Sequence, residues 1–444
     1  MTHVVRKGLN LPLKGAPTTQ VDALQQSTTF AVSPDDYQGM IPKMAVREGD
    51  KVAAGDTIFY HKSDDRLSAI APVSGTVKAI VRGAKRRILR VEMSADSTTT
   101  YKQHAAGLPA DADALKARLT ETGLWTLLEM RPYARMVNPD DAPKAIFVNA
   151  MATAPFAPEA SIALSGRDAG FEAGLKALKL LAPRLVLSLD VNESAKSLTQ
   201  ADAEIHRFSG KHPAGNTSVH ISRVDPLNKG EVVWTLDAES VAIIGDALLS
   251  GEVKLDRTYT LGGTGFRQPR YVKAIPGMNL ETAMGSEMHN DRPYRLINGS
   301  VLTGRVTSAD GFLAFGVNQL TAIPEGQGTD FLGWVLPGFG KFSVSRTFPA
   351  FLSPKKQYDL STKLNGEDRN FVVTGEYDKV FPFDIYPSQL LKAAWANDME
   401  RLEQLGIYEV APEDFALCEV VCTSKQSLQS LIREGLDLIY SEMN

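Results

Sequence analysis

Val46-Arg47-Glu48-Gly49-Asp50-Lys51-Val52-Ala53-Ala54-Gly55-Asp56 and Ala71-Pro72-Val73-Ser74-Gly75-Thr76-Val77 are the stretches whose reading decides the N-terminal fold. Their glycines mark places where the chain turns back, because glycine reaches positive φ without a steric penalty. Around them lie strand-like pieces at Met44 to Val46, Thr57 to Tyr60, Leu67 to Ala71, Thr76 to Val81 and Ile88 to Met93. The last alternates, with Leu89, Val91 and Met93 on one face and Arg90 and Glu92 on the other, as a half-buried strand does. Short strands at near-even spacing predict a small antiparallel sandwich or barrel over residues 40 to 93.

Working outward, the pattern changes. Asp111 to Gly123 reads as a helix, with Leu115 and Leu119 one turn apart and Gly123 placed to end it. Ala145 to Val148 and Leu185 to Leu189 are short apolar runs typical of buried parallel strands. Ala160 to Leu181 reads as one helical stretch, and Ala238 to Ser250 as another. Such alternation predicts an α/β layer fold. Residues 255 to 330 return to short β segments, with turns at Gly262-Gly263, Pro276-Gly277 and Asn298-Gly299. Residues 326 to 345 mix glycine with Phe331, Trp334, Phe339 and Phe342, which predicts a loop or hairpin. Near the end, Leu390, Leu391, Ala394, Trp395, Met399, Leu402 and Leu405 recur at helical spacing, with Gly406 as C-cap; Ser424 is placed to cap a last helix. The expected fold class is therefore a multi-domain α/β and α+β protein. Its units are a β module with its N-terminal segment over 1–100, an α/β domain over 101–254, a further β domain over 255–350 and a helical domain over 351–444.

The 444 residues are 43% hydrophobic and 23% charged, an ordinary globular balance. A net charge of −4 argues against a nucleic-acid partner, which demands a basic surplus, and against a polybasic membrane-surface protein. Two cysteines rule out a disulfide framework and suit a reducing compartment. Neither a secretory h-region nor an apolar run of about 18 residues is read, so membrane association is expected to go through a partner or a short loop.

The two opening stretches together resemble the biotinyl/lipoyl carrier hammerhead. Carriers present a lysine on a tight hairpin, usually as Met-Lys-Met or Asp-Lys-Ala. Here the hairpin is Tyr60-His61-Lys62-Ser63-Asp64-Asp65-Arg66, so an unmodified structural module is favoured over an acylated Lys62. Gly166-Arg167-Asp168-Ala169-Gly170-Phe171 faintly echoes a nucleotide loop, but lies inside predicted helix and lacks a first G-x-G; Leu261 to Phe266 has glycines but no following helix. Cys418 and Cys422 are spaced C-x3-C, short of the four ligands of a zinc or cubane site, and read as buried thiols. His206, His212 and His220 match no zinc spacing, and His212-Pro213-Ala214-Gly215 is a loop under either a functional or a packing constraint. No metal site and no catalytic residue is assigned.

The order of these segments resembles the A subunit of the bacterial sodium-translocating NADH:quinone oxidoreductase. Supporting motifs are Lys7-Gly8-Leu9, Gly39-Met40, Gly299-Ser300-Val301-Leu302-Thr303-Gly304, Phe331-Leu332-Gly333-Trp334, Phe342 to Phe348, Pro382 to Pro387 and Leu417 to Cys422. The resemblance covers essentially the whole chain. It implies a Rossmann-like α/β domain, a β-grasp-like (SLBB) domain and a helical end. A similar domain order occurs in the flavin- and cluster-bearing subunit of complex I and in the C subunit of the ferredoxin:NAD oxidoreductase complex. Their Arg-Gly-Arg-Gly-Gly-Ala-Gly-Phe flavin loop and cysteine runs are missing here.

What the resemblance implies is a translocase complex that passes electrons from NADH to ubiquinone and exports sodium. This subunit would sit at the cytoplasmic face of the bacterial inner membrane without a redox cofactor of its own. FAD, FMN, riboflavin and Fe–S are expected in the B to F partner subunits, with the integral B subunit the chief docking partner. Candidate quinone-contacting residues are Tyr37 and Met40, and Arg131, Tyr133 and Arg135, where cations, aromatics and a thioether suit a carbonyl-bearing ring. Phe331, Trp334 and Phe339 are candidate partner-contact residues. Two rival readings remain: a flavin- or Fe–S-carrying NADH dehydrogenase subunit, and a carrier acylated at Lys62.

Overall fold

In the N-terminal module, Gly49 (φ +90°) and Gly55 (φ +95°) make the turns their sequence calls for. Asp50 and Asp56 lock them, their carboxylates accepting from the backbone N–H of Arg47 (2.7 Å) and Ala53 (2.8 Å). A Cβ at Gly75 would overlap the Ser94 carbonyl, so only glycine lets these strands pair so closely. The resulting sheets are both antiparallel. One runs Thr29–Val32, Ile88–Ala95, Gly75–Arg82, Lys51–Val52, and the other Pro42–Met44, Thr57–His61, Asp64–Ile70. They close over Ile58, Phe59, Val77, Val91 and Met93. Thr29–Val32 was not anticipated, and the strand expected at Met44 to Val46 ends at Met44. The computed structural model describes residues 1–326, 328 and 338–443.

The α/β domain is built on a seven-stranded sheet in the order Thr2–Val5, Glu204–Gly210, Leu185–Asp190, Ala145–Ala150, Val233–Asp237, Glu129–Arg131, Arg135–Met136. The first five strands are parallel, Glu129–Arg131 joins them antiparallel, and Arg135–Met136 pairs antiparallel with that strand in turn. Asp111 caps the helix Ala112–Glu121 by accepting from Ala114 N–H. The stretch read as one helix from Ala160 to Leu181 is two, Ala160–Ala163 and Asp168–Leu178, parted at Gly166 (φ +80°). Asp168–Leu178 packs on Ala238–Ser250 through glycine. A Cβ on Gly245 would collide with the Gly170 carbonyl, and one on Gly174 with Val241. Of the glycines that faintly echoed a nucleotide loop, Gly170 is thus explained by close helix approach and Gly166 by the positive φ of the break.

The third domain is a mixed six-stranded sheet, ordered Arg305–Thr307, Tyr294–Asn298, Gln319–Pro324, Arg257–Gly262, Arg270–Ala274, Thr18–Ala23. Residues grouped with the N-terminal module by sequence thus pair elsewhere: Thr2–Val5 edges the seven-stranded sheet and Thr18–Ala23 this one.

The C-terminal helices pack around Leu390, Leu402, Phe415, Leu417, Ile432 and Leu436, and lean on Val5, Met151, Phe208 and Ala214 of the α/β domain. The helix read through Leu405 breaks at Asn397 (φ +52°) into Pro387–Trp395 and Met399–Gln404, which leaves Trp395 and Met399 exposed. Gly406 follows in the left-handed conformation, as its position suggested. Ser424 does not cap the last helix, Leu428–Met443; its hydroxyl donates to the Asn370 carbonyl instead.

Candidate functional site

Arg131-Pro132-Tyr133-Ala134-Arg135-Met136 forms a tight reversal between Glu129–Arg131 and Arg135–Met136, with Tyr133 (φ +80°) and Ala134 (φ +46°) left-handed at the turn. The reversal sends its side chains to different places. Arg131 points inward, 7% exposed. It pairs with Glu129 (2.7 Å) and Glu413 (2.6 Å) and donates to Ser218 Oγ (3.1 Å). Burial opposes its charge, but Glu129, Glu413 and Asp414 outweigh that and hold the guanidinium protonated. Arg131 thereby ties the α/β domain to the C-terminal helices.

Arg135 points the other way. Its guanidinium lies 3.5 Å over the ring of Tyr440 on the last helix. It also fills the space where Gly39 (φ +91°) lacks a side chain, and Met136 N–H donates to the Gln38 carbonyl (3.2 Å). Tyr133 meets Tyr408 and Tyr440 edge-on, at 6.2 and 5.1 Å. Three segments remote in sequence thus converge on a cleft of about 660 Å³ lined by Gly39, Lys43, Tyr60, His61, Arg135 and Tyr440 among others. Burial, and then the charge of Arg135, hold the His61 imidazole below the usual histidine range. One wall is the Arg66 guanidinium, bonded to Asp64 (2.8 Å) and Asp140 (2.7 Å) across the two domains.

Tyr37 and Met40 do not line this cleft, although Gly39 between them does. Tyr37 is buried, stacked on Phe315 (4.9 Å) and edge-on to Phe59 (6.0 Å). Met40 packs half-buried on the core of the module. Of the five sequence candidates, Arg135 alone lines the cleft; Tyr133 touches it only through Tyr440, Met40 packs on the module core, and Tyr37 and Arg131 are engaged within the fold. Sequence reading missed Tyr440 and Lys43, which nothing local marks, and took Tyr60 and His61 only as part of the carrier-like hairpin. Phe339 is 75% exposed, while Phe331 and Trp334 lie outside the described residues.

A second cavity, of about 280 Å³, lies at the carboxyl ends of Ala145–Ala150 and Val233–Asp237. There the strand order reverses direction, the usual ligand position in an open α/β sheet. Its chemistry does not fit a nucleotide phosphate. Asp237 caps the helix Ala238–Ser250, accepting from Ser240 N–H (2.8 Å). Arg257 bonds Asp237 (2.6 Å) and Glu239 (3.4 Å), while Glu239 accepts from Thr258 N–H (2.8 Å). Asp237 thus occupies an N–H of the helix N-terminus and Arg257 is spent on two carboxyls, where a phosphate needs free N–H groups and unspent positive charge.

The remaining sequence candidates are absorbed by packing. Cys418 and Cys422 are free and buried, and the Tyr377 hydroxyl lies 3.0 Å from Cys422 Sγ. Among the described residues no cluster of three His, Cys, Asp or Glu is placed to hold a metal ion. The loop beginning at His212 carries a packing constraint: its carbonyl accepts from Leu9 N–H (2.8 Å), its N–H donates to Asn10, and its ring contacts Thr153 Oγ1 (3.2 Å). Lys62 is exposed at its hairpin, its N–H bonded to the Ile41 carbonyl. No described helix is long and apolar enough to cross a membrane.

Fold and site define a multi-domain α/β protein with an N-terminal barrel-sandwich module, a second α/β domain and an SLBB-like domain. Family models match in that order: the NqrA N-terminal barrel-sandwich hybrid domain over residues 3–96, the NqrA second alpha/beta domain over 110–253 and the NQRA C-terminal domain over 260–309. The chain is 35% identical to the A subunit of the Na(+)-translocating NADH-quinone reductase of Rhodopirellula baltica, over 99% of this chain and 98% of the relative. It is likewise 35% identical to those of Pasteurella multocida and Vibrio vulnificus, over 99% of each chain. The chain belongs to this family, the A subunits of Na⁺-translocating NADH-quinone reductase. A solved NAD⁺-reducing [NiFe]-hydrogenase chain is similar at 14% identity and a TM-score of 0.38, over 74% of this chain and 61% of that one.

Proposed function

We propose that the chain is an extrinsic subunit on the cytoplasmic face of the bacterial inner membrane. It docks on the membrane subunits, chiefly the integral B subunit, and lends one wall to the place where ubiquinone is bound and reduced as sodium is exported. The carrying observation is the convergence of the Gly39 loop, Arg135 and Tyr440 on one cleft. A quinone headgroup is a flat neutral ring with two carbonyl acceptors. An arginine beside aromatic faces offers it donors and a stacking surface, and stabilises the negative charge that develops on the carbonyl oxygens during reduction. Tyr37, Met40 and Tyr133 are retained as candidate quinone contacts beside Arg135, and Arg131 fixes the hairpin that carries it. Phe331, Trp334 and Phe339 are retained as partner contacts.

On this reading the chain carries no redox cofactor, and FAD, FMN, riboflavin and Fe–S belong to the partner subunits. The carboxylates at the switch point support this against the rival flavin-bearing reading. We also read the seven-stranded domain as Rossmann-like and the six-stranded one as β-grasp-like. Photoreactive quinone analogues applied to the assembled complex test the function. Labels are expected within 37–40 and 133–136, and to fade with excess ubiquinone. Labels confined to other subunits would remove the cleft from the quinone path, and one FMN or cluster per purified chain would overturn the cofactor assignment.

A further inference from the structure

Gly338 to Tyr358 carries four cations, Lys341, Arg346, Lys355 and Lys356, and no aspartate or glutamate, in a chain whose net charge is −4. The whole-chain charge that argued against a polybasic protein averages over this local segregation. The same stretch carries Phe339, Phe342, Phe348 and Phe351. Apart from the short 3-10 turn Pro349–Leu352 it has no regular secondary structure. Phe339 is 75% exposed, Leu352 71% and Phe351 53%. Lys341 lies over Phe348 (5.3 Å), Arg346 over Phe351 (5.7 Å) and Lys356 over Tyr358 (5.0 Å). The segment is tethered at its end: Tyr358 is buried, and its backbone bonds Pro12 (2.7 Å) and Lys14 (3.0 Å).

Exposed aromatics interleaved with cations, and no acid among them, match the headgroup layer of an anionic bilayer. There aromatic rings settle at the boundary while lysine and arginine reach the phosphates. A protein partner fits less well, because the buried centre of a protein interface is depleted in lysine. We infer that Lys341–Tyr358 seats on anionic lipid headgroups beside the membrane subunits, with Phe339 at its edge left to the subunit contact. This rests on the docking proposed above and adds a lipid contact to it.

The test is flotation of the purified full chain with vesicles. Binding is expected to phosphatidylglycerol-containing vesicles and not to pure phosphatidylcholine. It should weaken as salt is raised to about 0.5 M, where charges are screened within a few ångströms. Lys355→Glu with Lys356→Glu is expected to weaken binding more than about tenfold. Phe351→Ser with Leu352→Ser should weaken it at every salt concentration, with circular dichroism unchanged for both pairs. Equal binding to neutral vesicles, or indifference to charge reversal, overturns the inference. So does loss of assembly with the membrane subunits in lipid-free detergent by the charge-reversed variant, which would make the face a protein contact. A chain that floats as expected yet never joins the membrane subunits sinks the docking proposal alone.

Discussion

Arg131 shows how one side chain serves a site without entering it. Its guanidinium is closed in by Glu129, Glu413 and Ser218, so replacing it leaves two half-buried carboxylates and a buried hydroxyl without their shared donor. Arg131→Ala is expected to destabilise the fold by about 1–3 kcal/mol in urea denaturation, water reaching the two carboxylates in part. Arg135, by contrast, faces the cleft. Arg135→Gln is expected to raise KM for ubiquinone about tenfold or more in the assembled complex, leaving NADH oxidation by an artificial acceptor unchanged. An unchanged quinone KM would remove Arg135 from the site. Two buried histidines give a pH signature: burial pushes His212 down to about 4 and His220 to about 3. Below about pH 6.5 the unfolded chain takes up these protons while the folded chain refuses them. Stability is therefore full above that value and falls with pH toward 4, each histidine contributing a slope of up to about 1.4 kcal/mol per pH unit. His220→Gln should flatten the decline, as read from denaturation midpoints across that range.

Among the elements, what was legible followed local signals. The module's strands announced themselves through glycine turns and alternation, and the central parallel strands through the apolar runs at 145–148 and 185–189. The helix breaks at Gly166 and Asn397 were hidden because the apolar spacing runs on through them, although both residue types favour positive φ. Edge strands such as Thr2–Val5 carry little pattern of their own, since their pairing is decided by a partner some 200 residues away. The site was half legible. Arg135 and the Gly39 loop could be named separately, but their meeting on Tyr440 depends on three domains packing together. The glycine contact between Asp168–Leu178 and Ala238–Ser250 gives an element-scale prediction. Gly245→Ala forces those helices apart and is expected to cost about 2–4 kcal/mol in chemical denaturation, whereas a neutral effect would mean the helices have slack.

The whole molecule distributes its tasks between faces. One cleft joins the module, the hairpin and the last helix. The switch-point cavity places Asp237 and Glu239 against Arg257 at a helix N-terminus. The stretch from 338 to 358 gathers positive charge and aromatic rings in an otherwise acidic chain. Joining these parts is the opening segment, which contributes Thr2–Val5 to one sheet, Thr18–Ala23 to a second and Thr29–Val32 to a third. During synthesis that segment leaves the ribosome well before its partners: its first strand has nothing to pair with until Arg207 to Gly210 have emerged, and its second until Arg270 to Lys273 have. The module can close early, whereas the stitching of one domain to the next must wait until much of the polypeptide has been made.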